Sequence, residues 1–315
     1  MLITVLAIGG CGGSKTGSRP NATLELDFTP NAVHAGIYSA VARGFDTREG
    51  VHLIVRQPGA STDSVSLLVS GRTDFAILDI HDLAIARERG EDVVGVLALV
   101  EEPLAAVEAQ PTIRSPRQLA GKTVGVSGLP SDVAVLRSVV AGAGGDPARV
   151  HRLTIGFNAV PALLSGRVDA ATAFWDVEGI ELHARRPATR EFRVQDYGAP
   201  AYPELVLCVN GATLRRDPGL VASTVAALRR GYAFTLSDPQ ASIRDELSRV
   251  PGLDAATLAA QLHAVLGAFT YGGVPFGSLN ARTLAAWARW EVHFGIVSKT
   301  PDLGSTFDTR YANSP

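Results

Sequence analysis

Short apolar runs alternate with segments of helical periodicity over the first two thirds of the chain. The predicted strands cover residues 24–28, 51–56, 75–78, 123–126, 150–154 and 170–174. The segments between them place apolar residues three or four positions apart, as one buried face of a helix requires. Strands that alternate with helices in this way form mainly parallel sheets with helices on both faces. The pattern therefore predicts an α/β fold.

A repeated pattern divides this region into two similar units. Residues 67–74 and 162–169 both end a helix, turn at a Gly-Arg pair and place an Asp at the start of a strand. These two segments lie 95 positions apart (162 − 67), and the same offset relates residues 50–53 to the segment that begins at residue 145 and continues to residue 153. A repeat in one register indicates that one strand–helix unit occurs twice. We therefore predict two lobes with a cleft between them.

The remaining apolar segments predict how the two lobes are connected. Residues 93–100, 104–109 and 205–210 are strand-like and would carry the chain across the cleft and back. This places residues 24–102 plus 205–315 in lobe I and residues 103–204 in lobe II. Beyond Asn210 the pattern is nearly all helical, over residues 218–237, 240–249, 255–266 and 279–295. Helices without further strands would pack on lobe I and the hinge.

The first strand–loop–helix unit presents three polar side chains. Asn31 can cap a helix over residues 32–43, and His34 and Tyr38 follow it three and then four positions later, on one side of that helix. Open α/β sheets bind ligands outside the carboxyl ends of their strands, which is where this loop lies. We predict that the trio contacts a ligand. The alternative is that Asn31 only caps the helix and that His34 and Tyr38 only pack.

Composition places the chain among ordinary globular proteins and excludes one class of partner. With 315 residues, of which 46% are hydrophobic, the chain can bury about two domain cores. The net charge is −2, and the basic residues form no run. Nucleic-acid binding is not expected, because it needs an excess of Lys and Arg to neutralise phosphates.

The first residues resemble a bacterial lipoprotein leader. Residues 1–10 are apolar but too short to span a bilayer, and residues 8–11 read Ile-Gly-Gly-Cys like a lipobox. The Gly- and Ser-rich residues 12–20 would form a flexible tether. We predict that Cys11 carries a lipid that anchors the protein to the extracytoplasmic face of the cell membrane. No basic residue precedes the apolar run, which a start upstream of Met1 would explain; alternatively, Cys11 is only an apolar residue of a truncated leader.

The second cysteine is expected to be buried. Cys208 lies within the apolar residues 205–209. With one cysteine acylated and the other in a core, we expect no disulfide and no thiol pair for a metal.

Several blocks of the sequence resemble one family of solute receptors. Residues 26–31 with His34, Gly36 and Tyr38 are characteristic of the periplasmic solute-binding proteins that include the thiamine-pyrimidine-precursor binders. Weaker matches at residues 68–75 and 169–178 extend the resemblance to about residue 210. It implies a type II periplasmic binding fold in a monomer that serves the permease and ATPase of an ABC importer. The implied ligand is a flat heteroaromatic vitamin or precursor, such as hydroxymethylpyrimidine or formylaminopyrimidine.

A ligand of that shape needs aromatic faces for stacking and a few polar groups in its plane. The candidates for ligand binding are the aromatic residues Phe28, Tyr38, Trp175 and Tyr202 and the polar residues Asn31, His34, Asp79, Asn158 and Glu178. Each has a structural alternative: the aromatic residues could be ordinary core, Asp79 a helix cap, Glu178 a first-turn acid and Asn158 part of a turn.

Two departures from the family pattern leave the ligand open. Phe28 stands where Trp is common in the pyrimidine binders, and Asp176 stands where Asn is common. The resemblance implies riboflavin as the alternative ligand, because related receptors bind it, and sulfonates or nitrate fit the many aromatic candidates less well.

An enzyme of the same fold is the alternative from another functional class. The pyrimidine-synthesising relatives carry a cysteine cluster and iron-binding histidines. This chain has 2 Cys and no metal-ligand spacing among its 7 His. We expect no catalytic activity, no cofactor and no metal.

Overall fold

The computed structural model describes residues 19–59 and 64–312. The proposed lipobox, Cys11 and most of the tether lie outside this part of the chain. Among the described residues, no helix has both the length and the apolar character needed to cross a membrane.

The fold contains two five-stranded sheets, one in each lobe. The strands are β1 (Asn21–Glu25), β2 (His52–Arg56), β3 (Phe75–Asp79), β4 (Val93–Ala98), β5 (Ala105–Ala109), β6 (Thr123–Val126), β7 (His151–Thr154), β8 (Ala170–Phe174), β9 (Arg190–Arg193) and β10 (Leu205–Asn210). The first sheet has the order β2-β1-β3-β10-β4 and the second has the order β7-β6-β8-β5-β9. The same arrangement thus occurs twice.

One strand in each sheet runs against the other four. β10 is antiparallel to β3 and β4, and β5 is antiparallel to β8 and β9. These two strands directly follow the two crossings between the lobes, at residues 99–104 and 194–204. A chain that leaves one sheet at the cleft begins its next strand at the cleft, so that strand must point away from it. The predicted mainly parallel sheets are therefore confirmed, with one reversed strand in each.

The helices of the described chain surround both sheets. They are α1 (Ala35–Ala42), α2 (Phe45–Arg48), α3 (Ser64–Val69), α4 (Ile80–Glu88), α5 (Pro130–Gly142), α6 (Ala159–Leu164), α7 (Ile180–Arg185), α8 (Gly211–Arg216), α9 (Pro218–Ser237), α10 (Pro239–Arg249), α11 (Ala255–Val265), α12 (Ala281–His293), α13 (Leu303–Thr306) and α14 (Thr309–Ala312). A π-helical turn, Trp175–Gly179, precedes α7. The predicted helical C-terminal part is present, and its helices complete the two cores on either side of the first sheet.

Two strands differ from their sequence predictions. The first was expected at residues 24–28 but is Asn21–Glu25, because its ladder with β2 ends at the pair Glu25 and Arg56. The following residues leave the sheet and turn into the cleft. Strand β9 was not predicted, because its sequence REFR is mostly charged and only Phe192 is buried. A half-exposed edge strand carries little apolar signal.

Candidate functional site

A cavity of about 80 Å³ lies between the two lobes. One water needs roughly 10–15 Å³ of such space, so the cavity suits a molecule with the bulk of several waters. Lobe I contributes Asp27, Phe28, Asp79 and Asp82 to its wall, and lobe II contributes Asp132, Phe157, Phe174 and Glu178. Ala105 and Leu205, which begin the two reversed strands, complete opposite sides.

The carboxyl groups of the wall follow from the topology. Asp27 and Asp79 lie at the carboxyl ends of β1 and β3. Asp82 and Asp132 lie in the first turns of α4 and α5. Glu178 belongs to the π-helical turn after β8. The carboxyl ends of parallel strands and the amino ends of the helices that follow face one edge of a sheet, where backbone N–H groups favour negative charge.

Asp82 is the wall residue with a carboxylate oxygen left free to accept a hydrogen bond from a ligand. Ser131 Oγ from the opposite lobe donates to Asp82 Oδ2 at 3.3 Å. The other oxygen, Oδ1, is buried and has no hydrogen-bond partner among the described residues. Burial, together with repulsion from Asp132 across the cleft, raises the pKa of Asp82 to about 7. A ligand N–H group placed at Oδ1 would supply the missing hydrogen bond.

Glu178 and Asp132 are held by backbone groups of lobe II. Glu178 Oε2 accepts from the Phe174 N–H at 3.0 Å, and burial raises the pKa of Glu178 to about 7. Asp132 Oδ2 accepts from the Ser127 N–H at 2.5 Å and from Ser127 Oγ at 2.6 Å. Burial also raises the pKa of Asp132. These bonds fix both carboxyl groups at the cavity.

Three phenylalanines form the aromatic part of the wall. Phe28 of lobe I packs edge-on against Phe157 of lobe II, with ring centroids 4.5 Å apart. It also meets Phe174 edge-on at 6.2 Å. Phe28 thus joins the lobes while offering a flat apolar surface to the cavity.

The predicted trio lies behind this wall rather than in it. Asn31 caps the helix, since its Oδ1 accepts from the Val33 N–H at 2.9 Å. His34 Nδ1 accepts from the Asn31 N–H at 3.3 Å, so the proton is on Nε2, which donates to Asp27 Oδ1 at 2.9 Å. Tyr38 is buried in the core of lobe I. His34 therefore orients a wall residue, Asp27, and contact of the trio with a ligand stays a prediction.

Three other candidates also lie outside the wall. Trp175 Nε1 donates to the Pro103 carbonyl at 3.0 Å, and Tyr202 is fully buried with its hydroxyl 3.1 Å from His81 Nε2. Asn158 donates its amide to the Ile155 carbonyl at 2.8 Å. Of the candidates from sequence, Phe28, Asp79 and Glu178 line the cavity. For the others, ligand contact remains a prediction without a cavity position to support it.

Several wall residues were missed from sequence. Asp82 lies three positions after Asp79, on the same side of the first turn of α4, so the candidate Asp79 already pointed to it. Asp132 has no such signal, because first-turn acids are common at exposed helices too. Phe157 and Phe174 read as ordinary core residues.

The wall has one sign of charge. It carries five carboxyl groups, and within residues 19–59 and 64–312 no Lys, Arg or His side chain lines it. Such a cavity accepts hydrogen bonds from a planar molecule rich in N–H groups and disfavours an anion.

Comparisons with known proteins agree with this fold. The model of a family described as "NMT1/THI5 like" matches residues 31–242. A formylaminopyrimidine-binding protein of Halalkalibacterium halodurans is 32% identical over 256 residues, which cover 77% of this chain and 76% of that protein. A 4-amino-5-hydroxymethyl-2-methylpyrimidine phosphate synthase of Legionella pneumophila is 25% identical over 227 residues, or 70% of this chain and 71% of the synthase.

Solved structures show the same architecture. The alkanesulfonate-binding protein of Xanthomonas axonopodis pv. citri, bound to MOPS, matches with a TM-score of 0.72 at 14% identity, over 91% of this chain and 98% of that chain. A protein of Bordetella bronchiseptica matches with a TM-score of 0.75 at 18% identity, over 93% and 95% of the two chains. At these identities the likeness concerns the fold, and it confirms the predicted two-lobed α/β fold.

The buried acids predict how the stability of the empty protein depends on pH. The pKa values of Asp82 and Glu178 are about 7 in the folded protein, above the ordinary values of 3.8 and 4.5. At pH values between the ordinary and the raised pKa, the folded protein keeps protons on these two carboxyl groups that the unfolded chain has lost. Raising the pH from about 5 to about 8 should therefore lower the free energy of unfolding. Urea unfolding across this range measures the decrease.

Asp82→Asn should show a smaller decrease, because its side chain cannot ionise. Glu181→Gln, which changes a partly exposed acid of α7, serves as the control and should stay close to the wild type, because Glu181 is the smallest of the causes that raise the pKa of Glu178. If Asp82→Asn gives the same pH dependence as the wild type, the assignment of this proton to Asp82 is wrong.

Proposed function

The chain belongs to the NMT1/THI5-like family, and from this premise we propose that it binds an aminopyrimidine precursor of thiamine and delivers it to an ABC importer. The observation that carries the proposal is the acidic and aromatic cavity between the lobes. The 32% identical relative, named for binding formylaminopyrimidine, supports the same ligand class.

An aminopyrimidine is complementary to this wall. Its exocyclic amine and, when protonated, its ring nitrogen donate hydrogen bonds in the plane of the ring. Bonds from such groups to carboxylates are charge-assisted and stronger than neutral ones. Asp82 Oδ1 has room for one such bond, and Glu178 faces the same cavity. The ring faces would rest against Phe28 and its neighbours.

The wall favours this class over the alternative ligands. A sulfonate or nitrate would face carboxyl groups and, among the described residues, no cationic side chain in the wall, although proteins of the same fold bind such anions. Riboflavin, with three fused rings and a sugar-like chain, is much larger than the several waters for which the cavity of about 80 Å³ has space. A single-ring pyrimidine suits the charge of the wall and comes closer to this size.

We propose that this chain, unlike the synthases among its relatives, binds its ligand without converting it. The synthase of Legionella pneumophila is 25% identical, whereas the formylaminopyrimidine-binding protein is 32% identical. This chain has 2 Cys in all, and Cys208 is fully buried in β10, away from the cavity wall. Among the described residues the wall offers hydrogen-bond acceptors and no thiol, and we expect the ligand to leave unchanged.

Calorimetric titration with 4-amino-5-hydroxymethyl-2-methylpyrimidine and with formylaminopyrimidine tests the site. The wild type should bind at least one of them with one molecule per chain. Asp82→Asn and Glu178→Gln should each weaken the affinity by roughly ten- to a hundredfold, because a hydrogen bond to a charged group contributes about 1.5–3 kcal/mol.

The matched control for this titration is Glu181→Gln, three residues after Glu178 and partly exposed on α7, which should bind as the wild type does. Methanesulfonate and riboflavin should give no heat of binding. Wild-type affinity in both cavity variants would show that these carboxyl groups do not hold the ligand, and tight binding of methanesulfonate would contradict the proposed ligand class.

We propose further that the protein is tethered to the membrane through a lipid on Cys11. The support is the sequence Ile8-Gly9-Gly10-Cys11 followed by a Gly- and Ser-rich segment. Such a tether lets the two lobes reach ligand and permease while staying at the membrane surface.

Expression of the wild type and Cys11→Ser in a bacterial host tests this anchor. The wild type should fractionate with membranes, and its processing should be blocked by an inhibitor of lipoprotein signal peptidase. Cys11→Ser should lose both properties. A wild-type protein recovered in the soluble fraction without a lipid would contradict the anchor and leave the ligand proposal unaffected.

A further inference from the structure

Two glutamates that do not line the cavity face each other within the second sheet. Glu108 of β5 and Glu191 of β9 are direct partners in the antiparallel register, so their side chains share one face of the sheet. Like charges placed directly opposite on neighbouring strands repel each other. Something must offset this repulsion in the folded protein.

Glu108 has no donor group to do so. It is fully buried, and neither of its carboxylate oxygens accepts a hydrogen bond from an N–H or O–H group of the described residues. Burial and the neighbouring carboxyl groups of Glu191 and Glu178 raise the pKa of Glu108 to about 9, and the Arg193 guanidinium offsets this only in part. A fully buried carboxyl group without a donor group needs a proton or a cation.

Glu191 has one oxygen already engaged. Arg193 Nε donates to Glu191 Oε1 at 2.7 Å, and the Arg193 guanidinium lies over the Trp175 ring at 4.0 Å. The other oxygen, Oε2, approaches the same point beside Gly179 as Glu108 Oε1 does. A Cβ atom at Gly179 would lie 2.9 Å from each of these two oxygens. Glycine thus lets both carboxyl groups close on the turn.

A ring nitrogen of His183 lies within 4.8 Å of a carboxylate oxygen of each glutamate. Its Nδ1 donates to the Gly179 carbonyl at 2.8 Å, because a carbonyl only accepts. In the neutral ring, Nε2 then keeps a free lone pair. Histidines that bind metals characteristically donate their other N–H to such a carbonyl, which fixes the ring and its tautomer.

We propose that Glu108, Glu191 and His183 bind a divalent transition-metal cation such as Zn²⁺. One ligand atom from each residue lies within 4.8 Å of the others. Two carboxylate oxygens and one imidazole nitrogen form a donor set that zinc accepts, with a fourth position open to water. His183 and Glu191 are partly exposed, so the cation can enter from solvent. The bound cation replaces the proton between the two glutamates.

A second cluster of similar residues does not meet the same requirements. Asp79, His81 and Glu204 also lie close together. However, both ring nitrogens of His81 are engaged, Nδ1 with Glu291 and Nε2 with Tyr202. A metal there would have to break these bonds, so we assign the cation to the Glu108 cluster.

No sequence pattern pointed to this site, and we expected no metal from the sequence. Glu108 and Glu191 become neighbours only through the pairing of β5 with the unpredicted strand β9. His183 reaches them from α7 because the π-helical turn places Gly179 between the two carboxyl groups.

Isothermal titration of the chelator-treated full chain with Zn²⁺ tests the proposal. The wild type should bind one Zn²⁺ through this site. Glu108→Gln and His183→Ala should each weaken its affinity at least tenfold. His151→Ala is the matched control, because His151 is exposed on β7 of the same lobe, and it should bind as the wild type does. Titration with Co²⁺ should give visible absorption bands that His183→Ala abolishes.

Two results would overturn the metal site. The first is the lack of any Zn²⁺ binding by the wild type, which would leave a shared proton as the link between the glutamates. The second is equal Zn²⁺ affinity in the wild type and His183→Ala, since this partly exposed position can change without unfolding the lobe. Either result leaves the pyrimidine cavity untouched, because these residues are not part of its wall.

Discussion

The two lobes place carboxyl groups around one small space between them, and no cationic side chain of the described chain lines it. Asp82 of one lobe and Asp132 of the other repel each other there, and burial makes each charge costly. The empty cavity therefore takes up protons. A ligand that brings N–H groups replaces those protons and satisfies the oxygens. We propose that the ligand supplies the complementary charge for this cavity and that anions are disfavoured for the same reason.

The chain topology places these groups. Because the chain crosses between the lobes twice, the first strand after each crossing points away from the cleft, while the carboxyl ends of the parallel strands point into it. The register of β10 pairs Leu205 with Asp79, and that of β5 pairs Ala105 with Phe174. Glu204 ties the two crossings together by accepting from the Leu104 and Ala105 N–H groups at 2.6 and 3.0 Å. The connections thus form part of the binding geometry.

Local patterns predicted most of the fold, and long-range contacts decided the site. The strands 123–126, 170–174 and 205–210 and the helix 218–237 coincide with the observed elements. The strands are continuous apolar runs because consecutive residues are buried, and the helix shows the period of one buried face. The candidate Glu178 lines the cavity, whereas His34 lies behind Asp27. Helical spacing fixes which side of a helix a residue occupies, but not which neighbour stands between it and the cleft. Asp132 and Phe157 reach the cavity only through the packing of the lobes.

The molecule that the protein carries in its natural cells decides between these ligand classes. Mass spectrometry of small molecules released by denaturing the protein, after purification from the cells that naturally produce it, would identify that molecule. We expect a single-ring, nitrogen-rich heteroaromatic compound with an exocyclic amine, at up to one molecule per chain. A sulfonate, nitrate or another anion released in the same proportion would overturn the proposed ligand class, because the described part of the acidic wall offers such a ligand no cationic partner.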